Sequence, residues 1–256
     1  MIAKQAASNC LAFHKPNPAA KVSLFCFPYA GGTASMFQQW RHSLPDTIEV
    51  CPVQLPGRGN RLADRRFTSV GPLVEALAED LGDYLDRPFA FFGHSMGALV
   101  GFELARLLRC ERRPQPVHLF VSGCEAPQLP LGTRPIYNLP DPELINALRR
   151  MNGTPQEVLD HAELMELMLP IIRDDLTVCQ AYEYSPEPPL ACGISAFGGL
   201  QDPGVTEASV SAWRAQTTGE FEMKMIDGDH FFIHNSLAQV LRVIATRCQS
   251  ALSAKM

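Results

Sequence analysis

Six short apolar runs recur along this 256-residue chain, at residues 22–27, 48–53, 89–92, 117–122, 193–197 and 221–226. Each is nearly continuously hydrophobic rather than alternating, as expected of a strand covered on both faces. Patterns of helical period fall between them, at about 34–42, 70–85, 96–108, 205–216 and 232–248. Strand, helix and strand in repetition predict a mostly parallel central sheet with helices on both faces, an α/β architecture. Residues 10–14 add a candidate antiparallel edge strand. Hydrophobic residues make up 46% of the chain, enough for one large core, and the chain is read as a single domain over 1–256. The 21 prolines and 18 glycines, scattered along its length, exclude a coiled coil.

One stretch breaks the rhythm. Some seventy residues separate the runs at 117–122 and 193–197, where a crossover needs about a dozen or slightly more. Within it, about 139–185 reads as two or three amphipathic helices punctuated by Pro140, Pro142, Pro155 and Pro170. Leu144, Ile145 and Leu148 line one; Leu164, Leu167, Met168, Ile171 and Ile172 line another. A helical insertion above the carboxyl ends of parallel strands is where an α/β enzyme carries a lid; an extra helical layer that enlarges the core gives the same pattern. Met151, Met165 and Met168 fit an adaptable apolar channel or ordinary packing.

Composition narrows the setting. Lys and Arg number 22 against 27 Asp and Glu, a formal charge of −5 with no general attraction to nucleic acid. The start, MIAKQAASNCLAFHKPNPAAK, has no apolar segment of a secretory signal, and the most apolar stretch, 89–104, holds Gly93, His94, Gly97, Gly101 and Glu103, unlike a membrane span. Eight dispersed cysteines form no CxxC pair, so neither a zinc site nor a disulfide framework is expected. Cys26, Cys51 and Cys124 read as small core residues. The expected address is cytoplasmic.

The chemistry begins where the run FAFF enters Gly93-His94-Ser95-Met96-Gly97, followed by the helical pattern ALVGFELARLL. This is G-x-S-x-G at a strand-to-helix turn, where small residues let a strained serine turn pack closely. A serine hydroxyl needs a base within reach. Among seven histidines, His14, His42, His118 and His161 read as structural or solvated, and an elbow that exposes Ser95 turns His94 away. His230 follows the last strand, at the same carboxyl edge as Ser95, with His234 as the fallback. The base needs an acid to orient it. Asp202, after the strand GISAF, is the candidate and Glu125 its rival. The chain order Ser95, Asp202, His230 is the order of an α/β-hydrolase. An oxyanion hole would draw on the backbone N–H of Met96 and one from Phe27-Pro28-Tyr29-Ala30-Gly31-Gly32, with Ala30 preferred and Tyr29 the alternative.

FPYAGG, QLPGRGNR, GHSMG, LPDPELINALRRMNGTPQEVLDH, LPIIRDDL, the GLQDP turn and DHFF, in that order, resemble the type II thioesterases over about residues 20–245. These are stand-alone α/β-hydrolases that work beside polyketide and nonribosomal peptide synthetases. The resemblance implies hydrolysis of acyl groups from the phosphopantetheine arm of an acyl or peptidyl carrier protein. It casts Ser95 as nucleophile, His230 as base, Asp202 as its partner, and Ala30 and Met96 as oxyanion donors, with no metal or cofactor. One departure stands out: Asp229 occupies a position usually held by glycine, in a turn where a left-handed backbone is expected. Arg149, Arg150, Arg58 and Arg61 are candidates for a basic docking rim. A medium-chain fatty-acyl thioesterase, a carboxylesterase and a non-catalytic module of the same fold are the competing readings, and a monomer is the default expectation.

Overall fold

The computed structural model describes residues 10–130, 134–151 and 159–253. Among these, the strands are β1 (Val22–Phe27), β2 (Ile48–Pro52), β3 (Phe89–His94), β4 (His118–Ser122), β5 (Gly193–Gly199) and β6 (Phe221–Ile226). The helices are α1 (Val70–Leu81), α2 (Met96–Cys110), α3 (Asp141–Met151), α4 (Ala162–Gln180), α5 (Glu207–Ser211), α6 (Phe232–Asn235) and α7 (Leu237–Ser253). The strands form one sheet in the order β2-β1-β3-β4-β5-β6, with every neighbouring pair parallel. All six apolar runs are therefore strands. The stretch at 10–14 contributes one antiparallel bridge, Leu11 to Val53.

The period of two explains why the runs are continuously apolar. Phe25, Phe27, Phe89, Phe91, Leu119 and Val121 enter a core layer with α1 and α2. Their neighbours Leu24, Cys26, Ala90, Phe92 and Phe120 point the other way, into a layer with α7. Both faces are covered, so most positions of either set are apolar, with Ser23, Glu49, His118, Ser122 and Ser195 as buried polar exceptions. Cys26 and Cys51 are buried in these layers and Cys124 is half-buried.

Three helical expectations change in detail. The pattern at 34–42 forms two short 3-10 turns, Ala34–Phe37 and Trp40–His42. Phe37 ends the first turn and Trp40 opens the second, and both rings meet Phe92 edge-on at 6.0 and 4.7 Å. The pattern at 205–216 is α5, capped by a reciprocal Thr206–Ser209 box, followed by a 3-10 turn over Ala212–Gln216. The pattern at 232–248 is interrupted at Ser236, giving α6 and then α7.

Between β4 and β5, α3 and α4 build an apolar cluster of their own from Leu144, Leu148, Leu159, Met165, Leu169, Ile172 and Leu176. Leu144 and Leu148 stand as expected, and Ile145 is half-buried. In α4 the buried face runs through Met165, Leu169, Ile172 and Leu176, while Leu167 is 71% exposed. Of the expected face, Ile172 is buried and Met168 packs on the cluster, while Leu164, Leu167 and Ile171 stand to one side of it, a small rotation about the helix axis. A third helix between the two would fall on residues 152–158, outside the described residues.

The order of strands reverses between β1 and β3, since β2 lies to one side of β1 and β3 to the other. Loops leaving adjacent strands there diverge and open a crevice at the carboxyl edge.

His118 illustrates how this packing sets a pH response. It opens β4 buried, with Nε2 2.9 Å from Ser195 Oγ on β5 and its ring 4.5 Å from Phe120. Burial, with Arg247 adding to it, lowers its pKa to about 4. The unfolded chain binds this proton near pH 6.5 and the folded one only near 4, so stability falls as pH drops through that window, by about 3 kcal/mol. His118→Asn is expected to flatten the stability profile between pH 6.5 and 4, measured by urea unfolding at half-unit steps.

Candidate active site

Four loops that leave β1, β3, β5 and β6 bring the predicted site residues to one edge. Ser95 links β3 to α2 with φ 53° and ψ −118°, a backbone conformation that costs on the order of 1–3 kcal/mol for a residue with a Cβ. Its N–H donates to Ser122 O of β4 at 2.7 Å, which ties the elbow to the neighbouring strand. The turn needs glycine on both sides: a Cβ at Gly93 would lie 2.0 Å from Gly97 O, and one at Gly97 would lie 2.1 Å from Phe27 O. The second approach presses the start of α2 against the end of β1. Met96, first residue of α2, has no intrahelical acceptor for its N–H.

His230 lies four residues beyond β6 and Asp202 three beyond β5. His230 Nδ1 is 2.6 Å from Asp202 Oδ2, and that carboxylate's side chain is 2% exposed. The other carboxylate oxygen accepts Gly204 N–H at 2.9 Å. An ionised carboxylate only accepts, so Nδ1 carries the proton and Nε2 is the basic nitrogen. His230 thus pairs with Asp202 and not with Glu125. Among the described residues no hydrogen bond joins Ser95 Oγ to the His230 ring.

His94, adjacent to Ser95, is fully buried and serves a different end. Its Nε2 lies 2.9 Å from the backbone carbonyl of His230 and its Nδ1 lies 2.9 Å from Ser122 Oγ. The carbonyl can only accept, so Nε2 holds the hydrogen and Nδ1 accepts from the Ser122 hydroxyl. Desolvation, helped by the nearby His230, holds the His94 pKa well below its ordinary value, so the ring stays neutral. It thereby fastens the His230 loop to β3 and β4. Nothing in the spacing of the sequence marks this role, because the partner is a backbone carbonyl 136 residues away.

The remaining surroundings are aromatic. Tyr29, half-buried, meets Phe231 edge-on at 5.0 Å, and Phe231 stacks on His234. His234 is exposed on α6. Asp229 Oδ1 accepts Phe231 N–H at 2.8 Å, and the positive φ of the turn, 131°, falls on Gly228. The left-handed residue is therefore one position earlier than expected, and Asp229 is spared that strain.

Two of the four arginines expected at a docking rim face inward instead. Arg58 is 5% exposed; its Nη1 and Nη2 donate to Asp175 Oδ2 and Oδ1 at 2.5 and 2.7 Å. Arg61 bonds Asp64 and Asp80, each at 2.6 Å. Arg58, held at both terminal nitrogens by a buried carboxylate, has no free face for a partner, while Arg61 is engaged by the exposed Asp64 and the partly exposed Asp80. Arg149 and Arg150 are exposed on α3, with Arg149 on Asp160 at 2.5 Å.

Two grooves of about 440 Å³ lie elsewhere, one beside Arg106 and Tyr182, the other beside Phe13 and Gln54; neither is lined by Ser95, Asp202 or His230. His14, Glu49 and Cys51 bring one donor atom each within 4.8 Å of one another. Arg87 holds the same Glu49 carboxylate at 2.8 Å, and burial drives the Cys51 thiol pKa strongly upward, favouring the neutral thiol. No helix among the described residues is long and apolar enough to cross a membrane.

Residues 22–248 match a family profile described as thioesterase domain. Gramicidin S biosynthesis protein GrsT of Aneurinibacillus migulanus is 48% identical over 94% of this chain and 94% of its own length. A Brevibacillus parabrevis protein named linear gramicidin dehydrogenase LgrE is 47% identical over 96% and 94%. The present sequence contains no G-x-G-x-x-G, the turn of a dinucleotide site. The solved structure of BorB, the type II thioesterase from the borrelidin biosynthetic cluster, superposes with a TM-score of 0.84 at 34% identity, covering 92% of this chain and 95% of that one.

His94→Phe keeps the ring volume but leaves the Ser122 hydroxyl and the His230 carbonyl without their partner. The expected loss is about 2–4 kcal/mol in urea unfolding, with faster amide exchange confined to residues 228–232.

Proposed function

The chain belongs to the thioesterase family, among the type II thioesterases, and from that premise we propose that it hydrolyses acyl groups from the phosphopantetheine arm of a carrier protein through Ser95, His230 and Asp202. The observation that carries this reading is the 2.6 Å pair of His230 and Asp202, on the same sheet edge as a serine held at φ 53°. The pair leaves His230 Nε2 free to take a proton.

The reaction divides into two halves. His230 Nε2 takes the Ser95 hydroxyl proton as Oγ attacks the thioester carbonyl. Negative charge on the carbonyl oxygen is met by the N–H groups of Ala30 and Met96, which need not reorganise as it develops. The carbon–sulfur bond then breaks, and the sulfur leaves as a thiol with the proton from His230. In the second half a water loses its proton to Nε2, attacks the acyl-serine, and Ser95 regains its hydrogen as the carboxylic acid departs. Asp202 stabilises the imidazolium in both halves without itself becoming protonated.

Residues 139–185 act in this reading as a lid on a single domain. Its support is the apolar cluster of α3 and α4, which includes Ala30 of the β1 loop at its border. Arg149 and Arg150, exposed on α3, supply the positive charge for an acidic carrier surface.

Ser95→Ala is expected to abolish release of acyl chains from a loaded carrier protein, while far-ultraviolet circular dichroism and the unfolding midpoint stay close to the parent's. A retained rate above a few per cent would reject Ser95 as nucleophile. A second measurement addresses the partner. Reversal of Arg149 and Arg150 to Glu is expected to raise KM about tenfold for the carrier-borne substrate and leave it unchanged for a small acyl-pantetheine. Equal changes on both substrates would remove these arginines from docking.

A further inference from the structure

The loop after β1 is clamped by a buried ion pair that the three reacting side chains do not use. Gly32 N–H donates to Tyr29 O at 2.8 Å, closing a tight turn over residues 29–32. Gly31, with φ 76°, is its left-handed third residue. Gly31 N–H donates to Asp175 Oδ2 at 2.7 Å. Asp175 comes from α4, 144 residues further along the chain, and its carboxylate is gripped at both oxygens by Arg58. Arg58 Nη1 also donates to Gly32 O at 3.4 Å. Ile172, three residues before Asp175 and on the same face of α4, presses on the turn so closely that a Cβ at Gly31 would lie 2.7 Å from its Cγ1.

These contacts determine where one amide points. A trans peptide directs its N–H opposite to its C=O, so the Ala30 N–H points away from the direction in which Tyr29 O is held by Gly32. The next peptide plane is fixed by the bond from Gly31 N–H to Asp175. Ala30 is thus pinned on both sides, on one by a contact within the turn and on the other by a carboxylate from the insertion. A charge in this position is a costly way to stabilise a fold, because a buried pair is commonly matched or exceeded by well-packed apolar residues. What apolar residues cannot supply is an acceptor for Gly31 N–H.

We propose that Asp175, held by Arg58, is a positioning residue that orients the Ala30 N–H toward the oxyanion. It rests on the reading that Ala30 is an oxyanion donor to an intermediate formed on Ser95. Because Asp175 belongs to α4, the insertion and the oxyanion loop are set by one carboxylate.

The test compares the full-length Arg58→Met/Asp175→Leu double variant with the parent on a small acyl-pantetheine thioester. The pair is replaced at similar volume without leaving a lone charge. The unfolding midpoint is expected to stay within a few degrees, KM within about threefold, and kcat to fall about 30- to 300-fold, the scale of a misplaced or missing donor. Affinity for a trifluoromethyl ketone analogue of the acyl group should fall in the same proportion. A kcat within threefold of the parent in the folded double variant would overturn the proposal. Should that variant fail to fold, Asp175→Asn and Asp175→Ala at low temperature decide instead. Asn keeps an oxygen for Gly31 N–H and is expected to retain at least tenfold more kcat than Ala, whereas equal losses would reject the assignment. Full activity of Ser95→Ala would instead reject the underlying chemistry, whichever way the Asp175 variants behave.

Discussion

The tight approach of the first turn of α2 to the end of β1 sets the geometry at the sheet edge. A side chain at Gly97 would meet the Phe27 carbonyl at 2.1 Å, and one at Gly93 would meet Gly97 itself. With both positions bare, β3 turns sharply into α2, and the turn holds Ser95 in a backbone conformation it would not adopt alone. The strain is borne by packing on both sides, with Phe27 and Phe91 edge-on at 5.3 Å beneath it. The same approach brings the β1 loop beside the start of α2. A serine, an unused helical N–H and a glycine turn are therefore brought to one edge, at the point where the strand order reverses.

The loops after β5 and β6 must then be brought to that crevice, and the structure uses buried polar contacts for this. Asp202 is held through Gly204 N–H as well as His230. The His230 backbone is held by His94. Each histidine in this pair is kept in one tautomer by an oxygen that can only accept, so their roles separate cleanly. His94 is neutral, fully buried and bonded at both nitrogens, while His230 offers one nitrogen to the crevice. The two rings lie 5.4 Å apart, and a proton on His94 would oppose the imidazolium that the proposed mechanism forms on His230. Desolvation of His94 removes that conflict.

The sheet was legible because dryness on both faces leaves a strong mark: β1 and β6 lie at the expected residues, and the others differ at their ends by one or two. Helix boundaries were less legible where local hydrogen bonding competes, as at the Thr206–Ser209 box and at Ser236. The residues placed at the proposed site were readable from position alone, since loops after parallel strands must reach one edge. His230 and Asp202 meet as that logic requires. Arg58, Asp175 and His94 were not readable in the same way. Each acts on a backbone group or a charge more than 100 residues distant, and no local pattern distinguishes a buried arginine from a solvated one. The buried face of α4 was legible only in part for a related reason: Met168 and Ile172 pack as expected, but Leu164, Leu167 and Ile171 extend the apolar stripe to one side, and only Asp175, a charge on the inner face, marks where the helix meets the loop.

That charge has a consequence for the insertion as a whole. A lid held only by apolar contacts can shift along them at little cost, because such contacts are non-directional. Asp175 instead makes three directional bonds, two to Arg58 and one to Gly31, and all three would be lost if α4 moved away. The Arg58 guanidinium, 5% exposed, would then be left buried without its carboxylate, an outcome far costlier than losing surface ion pairs. Motion of α4 is thus opposed at its Ile172–Leu176 end, whereas α3 has its paired charge at the surface, through Arg149 and Asp160, both well exposed. In the proposed reading of the insertion as a lid, the segment of α4 that touches the β1 loop therefore stays with the sheet, and α3 is joined to it at the surface by Arg173 and Asp141 at 2.5 Å.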